Sequence, residues 1–208
     1  QILAVRKYAY LDPETVDNVR HTAYFYSGAT RQGGKDGWVD FYPAYFSEMP
    51  QLLRRTTKCS LVLAAASPPD KHGYFSLGTN ADYVASLIGR APFFLEVNER
   101  MPRTMGGHVI HVSQIAGWCR GDRELVEVAP AEPNELDHRI AQHIAARVPD
   151  GATIHVGIGA IPNAVLAALA DHEHLGLHTE LLSDGVIDLI EQGVITGTKK
   201  VRRRNKHV

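Results

Sequence analysis

From Asn134 to Thr196 the chain alternates helical and strand-like segments, and this alternation limits the fold more than any other feature. "ELDHRIAQHIAARV" carries Leu136, Ile140, Ile144 and Val148 at four-residue spacing, which predicts a helix that buries this stripe. Asn134 is its expected N-cap, with Asp137 three residues later standing in for the usual capping-box glutamate. Strand "ATIHVG", helix "IPNAVLAALADH", strand "LGLHTELL", helix "VIDLIEQG" and a strand-like "VIT" follow. Strands taking turns with helices are the mark of an α/β fold.

The part before Asn134 reads as strands and loops with fewer helices. "QILAVRKYAYLDP" predicts a strand leading to a turn, "HTAYFYSG" follows it, and "ATRQGGKDG" reads as a glycine-rich loop. "WVDFYPAYFSEMPQLLRR" is expected to enter a short helix with Met49, Leu52 and Leu53 on one face. "CSLVLAAAS" is a nearly unbroken apolar run of strand length, as suits a strand buried on both faces in a parallel sheet. It stops at the turn signal "PPDKHG". "YFSLG" and "PFFLEVN" predict two more strands, with a helix over "ADYVASLIGRA" between them. "GDRELVEVAPAEPNEL", Gly121 to Leu136, is charged, holds two prolines and reads as a linker.

Composition removes several classes of function. Across 208 residues the net charge is −1, which offers no global field for nucleic acid or an anionic membrane. The basic end "TKKVRRRNKHV" is expected to lead into the next element of a longer chain. No apolar run approaches the ~18 residues that would span a bilayer. Cys59 and Cys119 lack metal-type spacing and read as free thiols of a reducing compartment. The eleven histidines include no His-Glu-x-x-His, and His108 and His111 are spaced to face opposite ways in a strand, so no metal site is expected.

Three constellations remain. In "HVGIGAIPNAVLAAL" a strand ends at Val156, Gly157-Ile158-Gly159 makes a tight turn, and a helix opens near Pro162. A proline in the first helical turn costs no intrahelical bond. Two glycines permit close approach of a ligand, and the helix start offers unpaired N–H groups. As a dinucleotide fingerprint the segment fails, because Pro162 stands where a third glycine belongs. A bare strand–helix turn with no ligand fits the local pattern equally well. Glu180 is the second. Period-2 alternation places Leu177, Thr179 and Leu181 on one face and His178, Glu180 and Leu182 on the other, so Glu180 is either a rim charge or a placed functional group. The third is "SPPDKHGYFSLGTNADY" with "EVNERMPRTMGG", where Ser67, Asp70, Asn98 and Arg103 reach a shared cleft or merely make turns.

Together these blocks resemble the acetyl-CoA hydrolase/transferase family, the group that includes 4-hydroxybutyrate CoA-transferase. "GIGAIPNAVLAAL", "HLGLHTELLSDGVIDLIEQGVITG", "SPPDKHGYFSLG", "EVNERMPRT" and "HVIHVSQI" carry the resemblance over nearly the whole chain. It implies two similar open α/β domains of the CoA-transferase type, both incomplete in a chain about half the family length. Residues 1–129 would be the C-terminal portion of the first domain and 130–208 the start of the second. It implies Glu180 as catalytic nucleophile and Gly157, Ile158, Gly159, Ala160 and Ile161 as the coenzyme A-binding segment. His155, Asn98 and Arg103 are candidate substrate-pocket residues. His155 stands where relatives are expected to carry glutamine, and Asn163 where aspartate is frequent. The implied substrates are an acyl-CoA and a short-chain carboxylate, with no tightly bound cofactor. A homo-oligomer in the cytoplasm is expected, with a mitochondrial location left open. An acyl-CoA hydrolase using the same glutamate, or a CoA-binding piece without catalysis, are the alternatives.

Overall fold

A computed structural model describes residues 8–80 and 82–208. The chain divides into two compact units, Gln1–Val126 and Glu127–Val208. The expected opening strand lies partly outside the described residues, and where description begins a short 3-10 turn spans Ala9–Leu11.

In the first unit, strands β1 (His21–Ala23) and β2 (Val39–Phe41) pair in parallel around helix α1 (Arg31–Asp36). The sequence predicts a glycine loop here, and the glycines serve packing instead. A Cβ at Gly33 would stand 2.6 Å from a Val39 methyl, so only glycine lets the helix lie this close to β2. Gly37 ends α1 in the left-handed conformation, φ 82°. Helix α2 (Met49–Thr56) buries Met49 and half-buries Leu52 and Leu53, the face read from sequence.

Strands β3 (Val62–Ala66), β5 (Phe93–Asn98) and β7 (Ile115–Gly121) form a parallel sheet in that order. Strands β4 (Tyr74–Ser76) and β6 (Val109–His111) pair antiparallel. One face of the parallel sheet, Val62, Ala66, Phe93, Leu95 and Val97, closes on Phe75, Leu87 and Ile110 to make the core. The other face is less covered, and Leu63 is 75% exposed, so β3 is buried on one side rather than both. The helix expected over "ADYVASLIGRA" is a 3-10 stretch, Tyr83–Leu87. Asp82 starts it by accepting the Val84 N–H, and only Leu87 of its apolar residues is buried. The burial of Asp82 raises its carboxyl pKa, against the pull of the Val84 N–H.

The second unit runs α3 (Glu135–Ala145), β8 (Thr153–Ile154), α4 (Ala160–Ala168), β9 (Gly176–Leu177) and α5 (Asp184–Glu191). The capping box forms as read. Asn134 Oδ1 accepts the Leu136 and Asp137 N–H groups at 2.8 and 3.1 Å, and Asp137 Oδ2 accepts the Asn134 N–H at 2.9 Å. The buried stripe differs from the expectation. Ala141 and Ala145 are buried, while Leu136 is 60% and Ile144 40% exposed. Small residues let α3 approach α4, which buries its own Ala164; Leu136 and Ile144 are left outside, Ile140 is half-buried, and Val148 packs half-buried against the core. Helix α5 closes in a Schellman motif, with Gly193 at φ 76° donating to Ile190 O and Val194 N–H to Leu189 O. Strands β8 and β9 are parallel, Ile195 bridges in parallel to Leu175, and the core gathers Leu166, Leu169, Leu175, Leu177, Val186 and Leu189. No helix among the described residues is long and apolar enough to cross a membrane.

Candidate active site

The site in the second unit is built at the carboxyl ends of two neighbouring parallel strands. Beyond β8 the chain continues through His155 and Val156 into the Gly157–Ile161 turn, which starts α4. Gly159 caps the helix with φ 123°, ψ −178°, a conformation that excludes a β-carbon, while Gly157 has no such constraint. Gly157, Ile158 and Ile161 are exposed, and Gly159 and Ala160 are partly so, leaving the turn open to a ligand. His155 is exposed beside it.

Glu180 lies three residues beyond β9, not within a strand as its period-2 pattern predicts. The alternation survives locally: Leu177 is buried and Thr179 half-buried, whereas His178 and Glu180 are exposed. It fails at Leu181, which is 45% exposed where the chain bends toward α5. The bend is anchored by Thr179. Its Oγ1 accepts the Val156 N–H at 3.2 Å and lies 2.8 Å from Val156 O and 3.0 Å from Leu181 O. Further along, Ser183 Oγ is buried without a hydrogen-bond partner at the start of α5.

The segment 200–208 braces this strand. Lys200 is 5% exposed, and its Nζ donates to Leu177 O at 2.5 Å and Lys206 O at 2.7 Å. Burial lowers its pKa, with the Arg203 charge adding to the effect. Gly176 provides the room, since a Cβ there would stand 2.5 Å from Lys200 Cγ. Val208 then settles alongside β9, donating to Leu177 O at 3.4 Å and accepting the Thr179 N–H at 2.7 Å. Neither Thr179 nor Lys200 is singled out by sequence. Threonine is ordinary in a strand, and Lys200 sits in a basic run that reads as leading into the next element of a longer chain. The close pairing of Gly176 with Lys200 has no local signal.

The four candidates of the first unit are engaged in local structure. Arg103 binds Asp70 at 2.9 Å and Tyr74 O at 3.0 Å, stapling the turn before β4. Asp70 also accepts the Tyr74 and His72 N–H groups, and these bonds, with the Arg103 charge, hold its carboxyl below the usual range despite some burial. Ser67 Oγ accepts the Ser76 N–H at 3.2 Å, tying the end of β3 to β4. Asn98, 2% exposed at the end of β5, accepts the Arg100 N–H and donates to Arg123 O. Asn98 lines a cleft of ≈ 490 Å³ with Pro68, Arg100, Trp118 and Arg120, at the carboxyl ends of β3, β5 and β7. Asp70 and Arg103 are thus brought together, as a turn staple, while Asn98 faces the cleft.

Parallel strands whose carboxyl ends carry a glycine turn and an exposed carboxylate define an α/β protein with its candidate ligand site at the sheet's end. RipA from Yersinia pestis shares the fold, with a TM-score of 0.87 and 34% identity over 95% of this chain and 48% of that one. A 4-hydroxybutyrate CoA-transferase from Porphyromonas gingivalis does so with a TM-score of 0.78 and 33% identity, over 93% of this chain and 51% of that one. Residues 2–135 match the acetyl-CoA hydrolase/transferase N-terminal domain, and the chain belongs to that family. Several of its relatives are named CoA-transferases. The 4-hydroxybutyrate coenzyme A transferase of Clostridium kluyveri is 37% identical over 209 residues, 100% of this chain and 49% of the relative. The succinyl-CoA:acetate/propanoyl-CoA:succinate CoA transferase of Fasciola hepatica is 40% identical, over 91% of this chain and 40% of the relative. The chain spans about half the length of the curated relatives it matches.

Proposed function

We propose that this chain carries the nucleophile and part of the coenzyme A site of a CoA-transferase that moves CoA from an acyl-CoA to a short-chain carboxylate. Residues 1–129 then belong to the first domain of the enzyme and 130–208 to the second. The observation that carries the reading is the placement of Glu180 and the Gly157–Ile161 turn at the ends of adjacent parallel strands, linked through Val156 and Thr179.

The chemistry follows from a carboxylate in that position. A carboxylate oxygen carries no proton that must be removed before it attacks, so Glu180 needs no partner base to act as nucleophile. It attacks the thioester carbonyl, expelling CoA thiolate and forming an acyl-glutamyl anhydride. The thiolate attacks the glutamyl carbonyl, releases the first carboxylic acid as its carboxylate, and leaves a glutamyl-CoA thioester. The acceptor carboxylate attacks that thioester, giving a new anhydride and free thiolate. The thiolate then attacks the acceptor's acyl carbonyl, and the new acyl-CoA leaves with the glutamate restored. Each step has a modest barrier, and the order implies ping-pong kinetics. Backbone N–H groups of the glycine turn are suited to an oxyanion, and one such donor is worth ~3 kcal/mol. Water attacking the anhydride or the thioester gives hydrolysis, and the exposure of Glu180 keeps that outcome in the test.

The test uses the enzyme that carries this sequence. Incubation with an acyl-CoA and no acceptor, then borohydride, should convert Glu180 to an alcohol in the peptide containing "HTELLSDG". Glu180→Ala and Glu180→Gln should abolish transfer, and Glu180→Asp, drawn back by a methylene, should lose on the order of a hundredfold. CoA release that needs no acceptor acid identifies a hydrolase. An active Glu180→Ala, or a label on another carboxylate, removes the reading.

A further inference from the structure

We propose that Thr179 is a positioning residue for Glu180: its hydroxyl replaces one rung of the β8–β9 ladder and fixes the carboxylate relative to the Gly157–Ile161 turn. The inference rests on the reading of Glu180 as nucleophile.

Rungs of a parallel ladder are evenly spaced. Here Gly176 N–H donates to Ala152 O at 2.8 Å, and His178 N–H to Ile154 O at 3.0 Å. Two residues further, the series calls for Glu180 N–H to donate to Val156 O, which would hold the glutamate's backbone in the sheet. Instead Val156 O faces the Thr179 hydroxyl at 2.8 Å, and Val156 N–H donates to the same oxygen at 3.2 Å. A hydroxyl has one proton and two lone pairs. Oγ1 therefore accepts from Val156 and directs its proton to Val156 O or to Leu181 O, 3.0 Å away. One oxygen holds the residue that precedes Gly157 and the residues on both sides of Glu180.

The strands separate at this point by the length of a side chain without coming loose. Glu180 leaves the sheet and is exposed, while the backbone before and after it stays tied to the start of the turn. The Thr179 N–H, bound to Val208 O at 2.7 Å, holds the other edge. Threonine suits the task because branching at Cβ restricts χ1 and keeps the hydroxyl in one place. Valine has the same shape but leaves both polar groups of Val156, a 7% exposed residue, without this partner. A drift of about an ångström between nucleophile and thioester is enough to cost on the order of a hundredfold in rate.

The experiment compares Thr179→Val, Thr179→Ser and Glu180→Ala in the enzyme that carries this sequence. Thr179→Val should lower kcat for CoA transfer by about ten- to a hundredfold while KM for the acyl-CoA stays within about threefold, the pattern of an interaction that matters after binding. Thr179→Ser, which keeps the hydroxyl, should recover most of the rate. The Val156 amide should exchange with solvent faster in Thr179→Val and near the parent rate in Thr179→Ser. A Thr179→Val enzyme with parental kcat, or a Thr179→Ser enzyme as slow as the valine variant, overturns the positioning role. The two readings separate cleanly. If Glu180→Ala stays active, the nucleophile falls and the role of Thr179 falls with it. If Glu180→Ala is inactive and Thr179→Val is unimpaired, only the positioning role is lost.

Discussion

Gly157 and Gly159 are two residues apart in one turn and answer to different constraints. Gly159 is held at φ 123°, where any side chain strains the backbone. A Cβ on Gly157 would meet nothing nearer than Pro162 Cγ at 3.8 Å. Gly159→Val would therefore mix backbone strain with any effect on a ligand, whereas Gly157→Val tests the space alone. Gly157→Val should fold with the parental melting temperature yet bind CoA at least tenfold more weakly, ~1.4 kcal/mol by calorimetry. An unchanged dissociation constant would take the turn out of the CoA site. The glycine pair was legible as a strand–helix turn because two glycines ahead of a first-turn proline mark such a junction from adjacent residues alone. Thr179 was not, because its two contacts with Val156 cross 23 positions of sequence.

Among the elements, α3 shows where periodicity stops being informative. Its span and N-cap follow from residues within one turn of each other, so spacing alone reveals them. Its buried side does not, because both an Ala141/Ala145 stripe and a Leu136/Ile140/Ile144 stripe fit helical spacing. The structure buries the alanines against α4. Leu136→Ala should accordingly change stability by no more than about 0.5 kcal/mol. Ala141→Leu should cost ~1–3 kcal/mol through overpacking. Urea unfolding of the two variants checks the assignment, and the opposite ranking would refute it. The same distinction explains β3, whose apolar run announces a parallel strand but not that Leu63 faces outward.

In the whole molecule, Lys200 links the segment around Lys206 to the strand that leads to Glu180. Its folded-state pKa is lowered by burial and by Arg203 from an ordinary 10.5. Between the lowered value and 10.5 the unfolded chain binds more protons than the folded one, so stability rises with pH across that window. The neutral amine still has two N–H donors for Leu177 O and Lys206 O, so both bonds survive deprotonation. Lys200→Met should lose ~1–3 kcal/mol and the alkaline rise with it, seen as the difference between two stability–pH curves. Parallel curves would show that Lys200 titrates as it does in the unfolded chain. Sequence by itself determined the alternation of strands and helices after Asn134, the cap at Asn134, the turn at Gly157 and, through resemblance, the family. Those features depend on backbone preferences and on neighbours a few residues away. Only the tertiary structure decided that Lys200 is buried, that Arg103 pairs with Asp70, that alanines line the inside of α3, and that a threonine hydroxyl replaces a ladder rung. Each of those needs a partner brought close by folding, and no local pattern specifies which partner arrives.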